Sequence, residues 1–339
     1  MSPSKKSDGG RPTQATSAED IFNQVSGVEE PPFNERLEAF LQNHVVTPAT
    51  IILTDVRGIV GVLLLTFFAL MATVAISIFP KPTTMGADFW LPAFHSLQYP
   101  LGTGKLGQEI HLQIIHATPN MLKFVISGAV TATVVGTTFG VLAGYKGGRA
   151  DYFIMLVSDT WMAIPYLVLI IVMATIYRPR SPLVVGFILG INFWGGLARA
   201  VRSEVLSIRE SNTIEAARVM GLSTTYILRK YIIRNLMPYL TVNFAANARK
   251  IIYAAVGLYF IGVLPYTNLN WGVMMNQAYN TANLADPGQI HWLIAPLMMM
   301  ILLSLGLILT AQAADQIFNV RLVARQKADE DEATTAMPE

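Results

Sequence analysis

The chain has 339 residues, 53% of them hydrophobic and 14% charged, with a mean hydropathy of +0.45, too apolar for a soluble domain of this size, which places it among membrane proteins. A net charge of +2, with the basic residues confined to short stretches between apolar runs, excludes a nucleic-acid-binding field, so no nucleic acid is expected as a partner. With no cysteine there is no disulfide framework, thiolate metal site or Cys nucleophile, and the redox compartment stays open.

Residues 1–32 are rich in Ser, Pro, Gly, Gln and Glu and are expected to be disordered, since they hold too little apolar surface to offset chain entropy. Phe33, Leu37, Phe40, Leu41 and Val45 then recur at helical spacing, which predicts an amphipathic helix on the membrane surface or on a partner. Residues 1–57 thus form a tail plus an amphipathic helix. The run from Gly58 to Phe79 is free of charge and long enough to cross the lipid bilayer. It starts too late in the chain for a cleaved secretory signal.

Residues 80–118 hold Pro80, Pro82, Pro92 and Pro100 with Gly86, Gly102, Gly104 and Gly107, the composition of a small irregular external subdomain. Residues 119–315 form the core, with further spans at 121–144, 153–176, 183–200, 238–262 and 292–314, six in all with 58–79, and residues 316–339 close the chain as a tail. Arg57, Lys146, Arg149, the basic residues from Arg199 to Arg234, and Arg321, Arg325 and Lys327 fall on one side when six spans are threaded in order. By the positive-inside rule both termini are cytoplasmic, with Arg178 and Arg180 as a minor exception. The fold class expected is an all-α membrane protein of six transmembrane helices, in the plasma membrane.

Two motifs mislead. Gly102-Thr103-Gly104-Lys105-Leu106-Gly107 satisfies G-x-G-x-x-G, but prolines rather than a strand precede it, Tyr99 stands where a phosphate loop needs its first glycine, and Leu106 stands where Ser or Thr should follow the lysine. No nucleotide or other cofactor is therefore expected in this chain. His111 and His116 are five apart, off the three or four that align ligands on one helical face, and no metal site is expected. No catalytic motif is present, so neither a catalytic residue nor an enzyme is expected.

Charge within the spans carries more information. Asp159 lies eight residues beyond Asp151 in the third span, and Arg249-Lys250 ten beyond Tyr239 in the fifth, at matching depths of roughly 12 and 15 Å. Buried membrane charge seeks a partner or water. Asp159 is expected to pair with Arg249 or Lys250, leaving one cation facing a translocation path.

Pro165 predicts a kink in the third span, and Pro238 a first-turn position in the fifth. Between spans, the stretch from Trp194 to Tyr239 is too long and too basic for a simple connection. Asn212 and Glu215 have capping-box spacing, so a short helix is expected to start there and to end at Gly221, with a second over Leu222–Asn235. Ala216 and Ala217 leave a flat surface against which another protein can approach while Arg218 projects.

The sequence Glu215-Ala216-Ala217-Arg218-Val219-Met220-Gly221 resembles the EAA loop of ABC importer permeases, which docks into a cleft on the ATPase subunit. The resemblance extends through Trp194-Gly195, Ala198-Arg199, Val201-Arg202 and Val205-Leu206-Ser207. In order it also takes in Gly102-Thr103, Ala143-Gly144-Tyr145, Asp159 with Ile164-Pro165, Gly257 to Gly262, and Trp271-Gly272. Over about residues 100 to 318 the chain is similar to the dipeptide and oligopeptide permeases, particularly their C-type subunit. The usual Ile-x-Leu-Pro ending of the loop is replaced by Tyr231-Ile232-Ile233-Arg234, Ala255 stands where many members carry an acid, and Arg249-Lys250 replaces a small-residue stretch.

The resemblance implies a type I ABC importer permease fold, with an EAA coupling loop over 200–238 and ATPase coupling by Glu215, Ala216, Ala217, Arg218 and Gly221. It also implies a second homologous permease, two ATPase subunits binding ATP and Mg, an extracytoplasmic binding protein, and a peptide substrate, with oligosaccharide as the alternative. An ion-coupled secondary transporter, with Asp159, Arg249 and Lys250 as its relay, is the alternative of another class.

Overall fold

The computed structural model describes residues 55–335, with side chains from 55 to 315. The expected N-terminal tail and the amphipathic helix over Phe33–Val45 lie outside the described residues. Helix α1 spans Val56–Leu70, and its first turn is capped by the Asp55 carboxylate, which accepts from the Arg57 N–H. The helix continues through a π-helical turn, Met71–Ala75, to Ile78.

Helix α2, Ile110–Lys146, begins well before the expected span at 121–144. His111, Gln113 and His116 interrupt the apolar run there and hid its first three turns. α3, Gly148–Ala163, and α4, Tyr166–Tyr177, are the expected third span, but Pro165 does more than kink it: the axis turns by 84°. Proline forces Ile164 into extended backbone (ψ 124°) and the helix stops. α5, Pro182–Asn192, and α6, Trp194–Arg209, meet at 51°. Then come α7, Asn212–Val219, α8, Thr224–Ile227, a second π-helical turn, Leu228–Ile233, α9, Arg234–Phe260, α10, Trp271–Thr281, and α11, His291–Thr335. Among the described residues there is no strand, only an isolated bridge between Thr103 and Glu109.

By length and apolar composition, among the described residues three helices can cross a membrane, Val56–Ile78, Ile110–Lys146 and His291–Asp315, or up to five if each bent pair is one span. The other expected span, 238–262, is helical, but α9 carries Asn243, Asn247, Arg249 and Lys250 and is too polar to qualify.

α2 is the central strut, packed along α5, α6 and α9, while α11 packs on α1 and α9. Gly128, Ala132, Gly136, Gly140 and Gly144 fall every fourth residue on one face of α2. A Cβ on Gly136 would lie 2.9 Å from the Trp194 carbonyl oxygen, one on Gly140 2.6 Å from that of Ala198, and one on Gly144 2.9 Å from that of Arg202. The reciprocal contact holds on α5, where a Cβ on Gly190 would lie 2.4 Å from the Gly128 carbonyl oxygen. Lipid supplies no hydrophobic drive between helices, so close backbone approach through small residues carries the packing.

Two cores result. The larger includes Phe68, Met121, Phe124, Tyr259, Trp271 and Trp292. The smaller holds Val141, Val201, Val205, Ile214, Ala217, Ile227 and Ile232, and it seats α7 and α8 on α2, α6 and α9.

Candidate functional site

α7 is amphipathic over barely two turns. Ile214 and Ala217 are buried in the smaller core, whereas Glu215, Ala216, Arg218, Val219, Met220 and Gly221 are exposed. Ala217 is thus a packing residue, and only Ala216 of the alanine pair is on the outer face. The cap lies one residue before the expected one: Ser211 is the N-cap, with no side-chain capping bond, and its carbonyl accepts from the Glu215 N–H at 3.2 Å. With Ser211 as the cap, Glu215 falls outside capping-box register.

The expected end at Gly221 is present. Gly221 has φ +72°, its N–H donates to the Arg218 carbonyl (2.9 Å), and the Leu222 N–H donates to the Ala217 carbonyl (3.1 Å). These two bonds make a Schellman turn, which leaves Val219 and Met220 at an apolar tip, 84% and 68% exposed.

Arg218 does not project freely. Its guanidinium lies 5.5 Å from the centre of the Tyr145 ring, at the end of α2. Arg209, in the last turn of α6, donates to the Gly144 and Tyr145 carbonyls at 3.1 and 3.4 Å, satisfying acceptors that a helix C-terminus leaves unpaired. Tyr145, Arg209, Glu210, Glu215 and Arg218 line a cleft of about 500 Å³.

Beyond Gly221, Ser223 caps α8 by accepting from the Tyr226 N–H at 3.4 Å. The expected second helix does not end near Asn235. Tyr231 to Arg234 carry the π turn straight into α9, and Pro238 lies inside that helix rather than at its first turn. The missing Pro238 N–H leaves the Arg234 carbonyl without its helical donor just downstream of the widened turn. On this surface Lys230 Nζ donates to Tyr226 Oη at 2.5 Å, which raises the ammonium pKa above its ordinary value.

The ion pair expected between Asp159 and Arg249 or Lys250 is not formed. Asp159 pairs with Arg199 of α6, both about half-exposed. The reason is topological: α3 packs on α2 and α6, while α9 packs chiefly on α2, α10 and α11, so the helices that carry the two charges are not packed against each other. Eight residues earlier, Asp151 takes Arg202 in a two-pronged ion pair, and Ser158 Oγ donates to the Gly195 carbonyl at 2.9 Å. Arg249 is half-buried and Lys250 exposed, and among the described residues neither has a carboxylate within 4.0 Å.

The Gly-rich 102–107 segment is a packed turn. Thr103 is fully buried, its hydroxyl donating to the Asp88 carbonyl (2.6 Å) and accepting from the Leu91 N–H (2.9 Å). Gly102 (φ +74°) stands against the Leu91 carbonyl and the His291 ring, and Gly107 (φ +67°) against the Ala87 carbonyl. The segment is closed by its own chain. Among the described residues no three His, Asp or Glu side chains gather as metal ligands.

Tyr145, Arg199, Arg202 and Arg209 are the residues that sequence reasoning missed. The signal for two of them was present, since two acids, Asp151 and Asp159, share α3 and two arginines, Arg199 and Arg202, share α6.

The family described as binding-protein-dependent transport system inner membrane component matches residues 136–323. A dipeptide transport system permease protein of Bacillus subtilis is 29% identical over 183 residues, 53% of this chain and 56% of that protein. A glutathione transport system permease protein of Pectobacterium atrosepticum is 32% identical over 179 residues, 52% of this chain and 59% of its own. For an oligopeptide transport system permease protein of Haemophilus influenzae the figures are 25% over 223 residues, 65% and 71%. The chain thus spans little more than half the length of the first two.

Proposed function

Since the chain belongs to the family of binding-protein-dependent transport system inner membrane components, and its all-α bundle is of the type I ABC importer permease class, we propose that it is one membrane-spanning half of an ATP-driven importer of di- and oligopeptides. A second, similar permease completes the path, and an extracytoplasmic binding protein delivers substrate. Two ATPase subunits, which hold ATP and Mg, drive the exchange between inward-open and outward-open forms. In this reading both termini and α7 are cytoplasmic, in keeping with the basic residues around α7.

The observation that carries the proposal is the apolar tip Val219-Met220, exposed on a short helix that rests on the end of α2 through Arg218 and Tyr145, beside the end of α6 that Arg209 holds to the same terminus. An apolar tip on a braced, otherwise basic surface suits insertion into a partner protein. The peptide substrate is supported by the relatives, described as permeases for dipeptide, oligopeptide and glutathione transport.

Affinity purification of the chain from native membranes tests the reading. Co-purification of an ATPase and a second permease is the expected result. Recovery without any ATPase, or ATP-independent uptake by the chain alone, sinks it.

A further inference from the structure

A polar stripe not yet accounted for runs along α9. Tyr239, Asn243, Ala246, Lys250, Tyr253 and Gly257 recur at alternating intervals of four and three, so they form one stripe, and each is exposed or half-exposed. The opposite face, with Leu240, Ile251, Ile252, Val256 and Tyr259, is buried. A Cβ on Gly257 would meet nothing within 4 Å, so the stripe opens on free space. Asn243 turns its amide back to the Tyr239 carbonyl (2.9 Å), which leaves the two phenols and the Lys250 ammonium as the outward donors, with Arg249 at the edge.

α9 lies against the apolar spans α2 and α11, and a lysine midway along such a helix is costly against lipid. The stripe therefore faces water or a polar ligand. It rises about 21 Å from Tyr239 to Tyr253, the length of about six residues of extended chain. A fixed carboxylate from a neighbouring subunit would need Lys250 alone and would leave the rest of the stripe without a role.

We propose that this stripe lines the translocation path and that Lys250, assisted by Arg249, attracts the C-terminal carboxylate of an extended peptide. The inference rests on the importer reading and adds the charge preference of the path. Delivery by the binding protein selects first, so the test compares variants of this chain with that protein unchanged.

The complete importer is reconstituted in liposomes with ATP, and uptake of labelled trialanine is compared with uptake of its C-terminal amide. The K250Q variant is expected to lower the acid-to-amide uptake ratio by about tenfold. K250R should keep the ratio, and K250E should turn it towards the amide. If K250Q does not assemble, Ala246→Glu, one turn away on the same stripe, should lower the ratio while Ala246→Gln does not. An unchanged ratio, or an equal fall for both peptides, overturns the proposal and leaves the importer standing. Uptake of neither peptide by the wild type overturns both.

Discussion

The Arg218 guanidinium stands 5.5 Å from the centre of the Tyr145 ring, so the last turn of α7 rests on the last turn of α2. Arg209, at the end of α6, holds the same terminus of α2 through the Gly144 and Tyr145 carbonyls. A push on α7 therefore reaches the strut that packs along α5, α6 and α9. Tyr145→Ala and Arg218→Ala are each expected to lower substrate-stimulated ATP hydrolysis of the assembled importer severalfold without preventing assembly. An exposed cation–π contact contributes about 0.5–1 kcal/mol, and the pair should show a coupling energy of that size in a double-mutant cycle on thermal stability. Strict additivity would count against the contact.

Gly221 is required for its backbone, not for space. Its φ is +72°, and a Cβ there would meet nothing within 4 Å. Gly221→Ala should therefore cost about 1–2 kcal/mol, the left-handed penalty alone, while Gly221→Asn should cost less. Gly221→Asp adds charge beside the Val219-Met220 tip and is expected to abolish substrate-stimulated ATPase activity with membrane insertion intact. Coupling that survives the aspartate would refute docking at this turn.

The pairing of Asp159 with Arg199 makes a different prediction from a pairing with Arg249 or Lys250. Asp159→Arg combined with Arg199→Asp should recover most of the thermal stability lost in either single variant, whereas Asp159→Lys combined with Lys250→Asp should recover none. Because both side chains are half-exposed, the pair itself is worth no more than about 1 kcal/mol. Most of the loss in each single variant comes from like charges left together, two guanidinium groups in one and two carboxylates in the other. Equal recovery in the two double variants would mean that the charges are not read locally.

Apolar runs made α1, α4 and α11 readable in the sequence, because a span announces itself by unbroken hydrophobicity. They misjudged α2, whose first turns carry His111, Gln113 and His116, and they set the start of the fifth span at Pro238 when the helix runs unbroken from the π turn at Leu228. Gly221 was legible because a chain reversal after a short helix needs a left-handed residue. Arg218 was not, since its partner Tyr145 lies 73 positions away and local spacing carries no trace of it. The charge pairing failed for a similar reason: equal depth in the membrane does not make two helices neighbours, and α3 packs on α2 and α6 rather than on α9.

Gly140 tests whether close approach of α2 and α6 holds the bundle together. A Cβ at Gly140 would lie 2.6 Å from the Ala198 carbonyl oxygen and 2.7 Å from the Val201 Cβ, and neither is the movable end of a side chain. Gly140→Ala should therefore separate the helices despite alanine's better helix propensity, and Gly140→Leu should do so further. Overpacking of this kind costs about 1–3 kcal/mol, which is expected to appear as a lower melting temperature in detergent and faster proteolysis near Arg209. Gly196 supplies the control on the partner helix: its nearest neighbour is the Met162 sulfur at 3.8 Å, so Gly196→Ala should be neutral or stabilising by up to about 1 kcal/mol. If Gly140→Ala proves as harmless as Gly196→Ala, the glycine stripe is not what sets the spacing of the two helices.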